Sequence, residues 1–118
     1  MIVSIPISIG ELLDKITILE IKSLFTNNEY ISKELYELNQ IKSTLTQYTL
    51  EDEVKLKEVN LKLWTIEDRL RVLEKEQRFD EEFIELARSV YITNDLRAAI
   101  KKKINEETQS TYQEVKLY

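Results

Sequence analysis

Apolar residues recur along most of the chain at spacings of three and four, the period of an α-helix that packs on one side. The pattern is clearest in a heptad seam formed by Leu56, Val59, Leu63, Ile66, Leu70 and Leu73. Gly10 is the only glycine and Pro6 the only proline, whereas turns and sheets use both heavily. The pattern therefore predicts an all-α protein, a single domain over residues 1–118, built as a bundle of about five helices.

The first predicted helix runs from about Ile9 to Phe25. Ser8 precedes it as an N-cap, and Glu11 stands three residues later, the spacing of a capping box. Apolar residues surround most of this helix, which favours burial on several sides. Its embedded charges therefore form either one exposed strip or a paired internal site.

A long antiparallel helical hairpin is predicted over 29–77, because two amphipathic stretches follow each other with a short break near residues 48–50. Thr49 caps the second of these helices, and the acidic residues after it suit the positive end of the helix dipole. The regular seam of this hairpin favours a scaffold that also serves as an oligomer contact.

Two further helices are predicted after the hairpin. Asp80 caps one that runs to about Tyr91, and Thr93 or Asn94 caps another that runs to about Thr108. Two short segments are expected to be extended and able to pair with each other: residues 2–7 and 112–118.

The composition excludes several kinds of chemistry. The chain has no cysteine and no histidine, so disulfides, thiolate catalysis and histidine-based acid–base or metal chemistry are excluded. A net charge of -5 does not match nucleic-acid binding or an anionic membrane surface. We predict no catalytic residues, no metal and no cofactor. With neither a signal peptide nor a spanning segment recognisable, we expect the cytoplasm of a bacterium or of a phage-infected bacterium.

Carboxylates offer one candidate site. Three pairs stand three residues apart and so share a helix face, namely Glu11 and Asp14, Glu34 and Glu37, and Glu82 and Glu85. All-α nucleoside triphosphate pyrophosphatases hold Mg²⁺ with such pairs, although the order along this chain differs from theirs. The alternative is a solvated acidic face.

A stronger candidate is the segment from Phe79 to Asn105, which gathers basic residues in an otherwise acidic chain. Arginine makes forked contacts to phosphate, and lysine supplies a compact charge. The alternative is a capped helix with a solvated basic face. Together with the first helix, the segment supplies the predicted ligand-binding residues Lys15, Lys22, Arg88, Tyr91, Asn94, Arg97 and Lys101, supported by Asp14, Glu20 and Asp95.

Two stretches, SIGELLDKITILEIKS near the start and FIELARSVYITNDLRAAIKKKIN near the end, carry a family resemblance together with the intervening LWTIEDRL. They resemble a family of short helical proteins of bacteria and phages. The resemblance implies no established activity, so it assigns no catalytic residue.

These observations favour a non-enzymatic helical protein that forms homo-oligomers and binds a small anionic, nucleotide-like ligand. In a phage, such a protein would sequester a nucleotide immune signal of the host. One alternative is a structural adaptor that docks a protein partner through the Leu56–Leu73 seam. Another is a small all-α enzyme, either a mutase or a Mg²⁺-dependent nucleotide pyrophosphohydrolase.

Overall fold

The structure is a computed structural model that describes all 118 residues and contains helices but no strand. Its four helices are α1 (Ile9–Ser23), α2 (Glu29–Lys42), α3 (Leu50–Lys75) and α4 (Glu81–Glu107). The predicted all-α bundle is confirmed. The predicted number of five helices is wrong.

The error in the helix number lies in α4, which continues for 27 residues through the predicted break. Thr93 and Asn94 do not cap a helix; Thr93 is fully buried in the middle of α4. Threonine and asparagine favour caps because their side chains compete for backbone hydrogen bonds, but this local preference is weak. The half-buried residues Leu86, Val90 and Ile100 keep helical spacing across the predicted break, and their packing holds the helix together.

The long helical hairpin consists of α3 and α4, so the hairpin predicted over 29–77 is wrong. The backbones of α2 and α3 do not approach each other, although Lys42 Nζ reaches Glu53 Oε1 at 2.8 Å. Instead, α2 packs on α1 alone, and α1 also contacts α3 and α4. The heptad seam of α3 is turned inward, and its members Leu56, Ile66 and Leu73 are buried. These three members of the seam belong to the core and are not open to a partner, and the other three, Val59, Leu63 and Leu70, are half-buried.

Two of the predicted caps are confirmed. Ser8 Oγ accepts a hydrogen bond from the Glu11 backbone N–H at 3.1 Å, and Thr49 Oγ1 accepts one from the Asp52 backbone N–H at 3.2 Å. Asp80 precedes α4 without a side-chain capping bond. The Glu11 side chain binds Lys101 instead of completing the capping box, which already links the start of α1 to α4.

Gly10 sets the close approach of α1 to α4. Its backbone N–H donates to Asn105 Oδ1 at 2.9 Å, which satisfies one of the free donors in the first turn of α1. A Cβ atom on residue 10 would lie 2.6 Å from Asn105 Oδ1 and 2.9 Å from the Lys101 carbonyl oxygen. Only glycine therefore allows this crossing, which brings the following turn of α1 against α4.

The fold is open. Only 19 of 118 residues are buried, and the radius of gyration is 16.1 Å, against about 13.5 Å expected for a compact domain of this length. Residues 1–7 and 112–118 lie outside the helices, and their predicted pairing is absent. None of the four helices combines the length and the hydropathy that crossing a bilayer requires.

Candidate functional site

The centre of the bundle holds a buried carboxylate, Asp14, on the side of α1 that faces α3 and α4. The residue is only 4% exposed. Both of its oxygens accept hydrogen bonds from Arg97 of α4, with Nε at 2.9 Å from Oδ1 and Nη2 on Oδ2. Asn60 of α3 donates from Nδ2 to the same Oδ1 at 2.9 Å. One side chain of α1 thus joins three helices through charged and amide groups.

Further polar groups complete this arrangement. Asn60 Nδ2 also donates to Thr17 Oγ1 at 2.9 Å, and Thr17 Oγ1 donates to the Asp14 carbonyl oxygen at 2.9 Å. Lys101 Nζ lies 2.6 Å from Glu11 Oε1 and 3.7 Å from Asp14 Oδ2. We call this set the Asp14 cluster; its members are Glu11, Asp14, Thr17, Asn60, Arg97 and Lys101.

The Asp14 cluster is balanced in charge. Burial by itself raises the pKa of Asp14, but hydrogen bonds from Arg97 and Asn60 and the nearby positive charges outweigh it, so the pKa lies below its usual value. The hydrogen bond to Asp14 raises the pKa of Arg97, while burial opposes that rise. Two carboxylates, Glu11 and Asp14, face two cations, Arg97 and Lys101. The cations are therefore already neutralised within the chain, and the cluster positions helices.

The structure brings together four of the residues predicted as a site: Asp14, Asn94, Arg97 and Lys101. Asn94 Oδ1 accepts a weak hydrogen bond from Arg97 Nη1 at 3.4 Å. The sequence left two alternatives open for the charges of α1; Asp14 fits the internal paired arrangement, whereas Lys15 and Lys22 fit the exposed strip. The partners of Asp14 come from α3 and α4, because these helices pack against α1 at this position.

Arg88, Tyr91 and Asp95 do not join this group. Arg88 precedes Arg97 by nine residues, about two and a half helical turns or roughly 13 Å along the axis, so it lies on the opposite side of α4. Tyr91 is 55% exposed, and Arg88 and Asp95 are also exposed. The chain therefore does not gather Arg88 and Arg97 in one pocket.

The remaining predicted residues of α1 point to other neighbours. Lys15 Nζ pairs with Glu34 Oε2 of α2 at 3.0 Å, so it does not converge with Arg88 and Arg97 on one site. Lys57 Nζ of α3 pairs with Glu20 Oε2 at 3.4 Å. Lys22 is exposed in the last turn of α1. The predicted site residues Lys15, Glu20 and Lys22 therefore lie at the surface, away from the Asp14 cluster.

Sequence reasoning missed Asn60 as a member of the cluster. A usable signal was present, because Asn60 follows Leu56 by four residues and so shares the inward face of α3. Arg97, Lys101 and Asn105 follow each other at intervals of four residues and so share one side of α4, and Asn105 Oδ1 accepts a hydrogen bond from the Gly10 backbone N–H. A polar residue within an apolar stripe indicates a buried partner, but only the structure names that partner.

The acidic pairs considered for Mg²⁺ are engaged in part with cations. Glu34 pairs with Lys15, and Glu82 accepts two hydrogen bonds from Arg69, at 3.1 Å and 2.9 Å. Nowhere does the chain gather three or more carboxylates in an arrangement that could hold a metal ion.

A cavity of about 470 Å³ lies where residues 113–116 pass over α4 and the start of α1. We call it the arm cavity. Three lysines line it together with two amides and two carboxylates: Lys101, Lys102, Lys116, Asn105, Gln113, Glu11 and Glu114. In this cavity a predicted ligand-binding lysine, Lys101, meets two further cations, although the carboxylates offset part of the positive charge.

An exposed apolar stripe runs along the side of α4 opposite the Asp14 cluster. Its members follow at spacings of seven, one and four residues, which keeps them on one side of a helix. We call it the outward stripe; it consists of Ile84, Tyr91, Ile92 and Leu96, exposed by 55%, 55%, 48% and 50%. Arg88 and Asp95 lie on the same side of the helix.

The Asp14 cluster should make stability depend on acidity. Because the folded-state pKa of Asp14 is lowered, its contribution is fully present above the unfolded value of about 3.9 and is lost as pH falls below it. We expect the difference in unfolding free energy between wild type and Asp14→Asn to be constant above about pH 4.5 and to narrow towards pH 2. Urea unfolding from pH 2 to 7 measures this difference; a gap that stays constant down to pH 2 would contradict the assignment.

Comparison with known proteins adds a family and no activity. No curated protein and no solved structure matches the chain. The sequence does match one family model over residues 3–118, nearly its full length, which confirms the predicted membership of a family without an established activity. The chain belongs to DUF6165, a family of unknown function.

Proposed function

We propose that the protein is a non-enzymatic adaptor that docks a helix of a protein partner on the outward stripe of α4. The observation that carries the proposal is the stripe itself, four large apolar side chains about half exposed on one side of a single helix. Exposed apolar residues scattered singly need no explanation, whereas four on one side of a helix, with Arg88 and Asp95 between them, form a mixed surface of the kind that protein interfaces use.

The charges beside the stripe support a specific contact. Arg88 and Asp95 flank Tyr91 on the same side of α4, and neither forms an ion pair within the chain, in contrast to Arg97 and Lys101. Arginine and tyrosine are among the residues that contribute most to protein interfaces. A free cation and a free carboxylate beside an apolar stripe can fix the register of a partner, while the apolar residues supply affinity.

The total surface leaves room for such a partner. The chain exposes 8630 Å², whereas a compact monomer of 14.0 kDa is expected to expose about 6,700 Å². The surplus is roughly 1,900 Å², and a standard interface covers about 800 Å² of each partner. The highly exposed residues at the two ends of the chain, among them Met1, Ile2, Leu117 and Tyr118, supply much of this surplus.

The stripe fits a helix as partner. From Ile84 to Leu96 it extends about 18 Å, the length of three to four helical turns, and it is one helix wide. Recognition of this kind uses apolar anchors at spacings of three, four and seven on the incoming helix. The matching partner carries an acidic residue towards Arg88 and a basic residue towards Asp95.

Replacement of Ile92 by Asp tests the proposal, with Leu61→Asp as the matched control. Leu61 is an exposed leucine of α3, 42% exposed, outside the stripe. Partners recovered by wild type and both variants from cells of the organism that encodes the protein are compared by quantitative mass spectrometry, after circular dichroism confirms equal folding. We expect one partner to be depleted about 30-fold by Ile92→Asp and retained by Leu61→Asp. Equal recovery by both variants, or no partner above background, would overturn the proposal.

A second candidate function rests on the arm cavity. The space of about 470 Å³ is within the range of small-molecule sites. Of its three lysines, Lys101 and Lys116 pair with Glu11 and Glu114, so Lys102 supplies the free positive charge. This arrangement supports binding of a small anionic, nucleotide-like ligand, and in a phage the same activity would sequester a nucleotide immune signal. Calorimetry with cyclic and linear nucleotides tests it. Binding weakened by Lys102→Gln favours this function, and absence of heat from a folded sample contradicts it.

A further inference from the structure

The last seven residues of the sequence have a palindromic pattern. Residues 112–118 read Tyr-Gln-Glu-Val-Lys-Leu-Tyr. A tyrosine stands at each end, Val115 stands in the middle, and Glu114 and Lys116 flank it with opposite charges. We call this segment the C-terminal arm. The proposed adaptor function leaves it unused.

The structure shows the arm as an unpaired segment with strand-like alternation. No backbone–backbone hydrogen bond ties residues 112–118 to the rest of the chain; at the start of the arm, the Tyr112 carbonyl oxygen accepts one from Ser110 Oγ at 2.5 Å. Lys116 Nζ lies 3.5 Å from Glu114 Oε1 and 5.2 Å from the centre of the Tyr118 ring, so side chains two residues apart share a side, as in an extended chain. The apolar members are open to solvent, with Val115 76%, Leu117 91% and Tyr118 96% exposed.

We propose that the arm pairs with the arm of a second copy of this chain, as two antiparallel strands related by a two-fold axis at Val115. In this register Val115 faces Val115 of the second copy, and Glu114 faces Lys116. Tyr112 faces Tyr118 at both ends. Each charged side chain of one arm therefore lies opposite a charge of the other sign on the second arm, and each tyrosine lies opposite a tyrosine.

Charge complementarity indicates that the partner strand is a second copy of the arm and that the two strands are antiparallel. Antiparallel pairing about Val115 places two Glu–Lys pairs and two Tyr–Tyr pairs across the strands, and such pairs stabilise sheets, whereas like charges directly opposite destabilise them. Parallel pairing in register would place glutamate against glutamate and lysine against lysine. The N-terminal segment 1–7 is no substitute, because it contains no charged side chain.

The arm is also held where a second copy can reach it. Glu114 Oε2 lies 3.9 Å from Lys101 Nζ of α4, which anchors the start of the arm, while its end projects into solvent. Two strands alone are marginally stable in water, so the pairing is expected to be weak and to appear at high protein concentration. It also raises the local concentration of two adaptor surfaces.

Cysteine cross-linking tests the register, since the chain has no cysteine of its own. A disulfide needs Cβ atoms about 4 Å apart. With Val115→Cys, two copies meet at the axis and should cross-link, whereas the two Gln113→Cys positions lie about 13 Å apart and should not. A mixture of Gln113→Cys with Leu117→Cys should cross-link again. Equal rates for Val115→Cys and Gln113→Cys, or no cross-link at high concentration, would overturn the proposal.

Charge exchange tests the complementarity. Glu114→Lys alone and Lys116→Glu alone each place like charges opposite each other, and we expect each to weaken dimerisation about tenfold in sedimentation equilibrium. The double variant exchanges the two charges and restores both cross-strand pairs, so it should dimerise more tightly than either single variant, short of wild type by the lost contact between Glu114 and Lys101. Glu106→Lys, an exposed site outside the arm, matches the charge change of the first single variant and should have little effect. A double variant as weak as the singles would contradict the pairing.

The two proposals fail separately. Ile92→Asp removes the outward stripe and should leave the Val115→Cys cross-link unchanged, because the arm lies elsewhere. A lost cross-link with an intact partner interaction would overturn only the arm pairing. A lost partner interaction with an intact cross-link would overturn only the adaptor function.

Discussion

Asp14→Asn is expected to lower the free energy of unfolding by about 3 kcal/mol at pH 7, and the melting temperature by about 12 °C. The substitution keeps the shape of the side chain and removes its charge. Arg97 then remains half-buried opposite a neutral amide, and Lys101 loses one of its two neighbouring carboxylates on α1. Removing one member of a buried ion pair costs more than the pair contributes, because the other charge stays desolvated.

An exposed ion pair provides the control. Glu51 and Lys55 form an i,i+4 pair at 3.0 Å with both side chains more than half exposed, and Glu51→Gln should change stability by less than about 0.5 kcal/mol. Denaturant unfolding followed by circular dichroism measures both variants. A loss for Asp14→Asn no larger than for Glu51→Gln would show that the cluster does not hold the helices.

A double-mutant cycle separates this coupling from general damage. Arg97→Gln alone should also destabilise, since Asp14 then lacks its bidentate partner while Asn60 and Lys101 remain. The double variant Asp14→Asn with Arg97→Gln should lose less than the sum of the singles, by about 1 to 3 kcal/mol. Additive losses would mean that Asp14 and Arg97 act independently.

The fold class could be predicted from the sequence because helical periodicity and the lack of Gly and Pro are local properties. The prediction was wrong for α4, which was expected to be two helices and is one. Thr93 and Asn94 have the side chains of a cap, yet Thr93 packs in the interior. Whether a cap residue starts a helix depends on the neighbours that cover it, and those come from distant parts of the chain.

The site could be predicted only in part for the same reason. A charge inside an apolar helix can indicate a buried partner, and the sequence placed Asp14 among several such charges without singling it out. The partner itself, Arg97, is 83 residues away, and no spacing rule connects the two. Arg88 and Arg97 looked equivalent in the sequence, but nine residues place them on opposite sides of α4. Pairing neutralises Arg97 and leaves Arg88 free, so the two arginines have different roles.

Which helices pair was also beyond the sequence. The seam from Leu56 to Leu73 predicts that α3 packs against a helix but does not say which one. Adjacent helices usually pair, so α2 was the natural expectation. In the structure α2 has no fully buried residue, and the longer α4 takes its place on α3.

Gly10→Ala is expected to lower the free energy of unfolding by about 2 kcal/mol, although alanine is intrinsically the better helix former by about 1 kcal/mol. The new Cβ would lie 2.6 Å from Asn105 Oδ1 and 2.9 Å from the Lys101 carbonyl oxygen. An asparagine side chain can rotate, but a backbone carbonyl in the middle of a helix cannot. The helices must therefore separate, and the hydrogen bond from the Gly10 N–H to Asn105 lengthens or breaks.

The variant Asn105→Ala tells the two contacts apart. It removes the clash with the Asn105 side chain and leaves the clash with the Lys101 carbonyl oxygen. The double variant should therefore lose less unfolding free energy than the two single variants together, while remaining less stable than Asn105→Ala alone. Thermal unfolding of all four proteins measures this. Gly10→Ala as stable as wild type would mean that α1 and α4 do not approach as closely as the structure places them.

The same substitution links the helix crossing to the Asp14 cluster. Asp14 lies one helical turn after Gly10, so a separation of α1 from α4 at residue 10 also draws its carboxylate away from Arg97. We therefore expect Asp14→Asn to cost about 1 kcal/mol less in the Gly10→Ala background than in wild type, as for residues that share one contact network. An unchanged cost would mean that the ion pair forms without the close crossing. A reduced cost would mean that the single glycine of the chain sets the distance at which its buried charges meet.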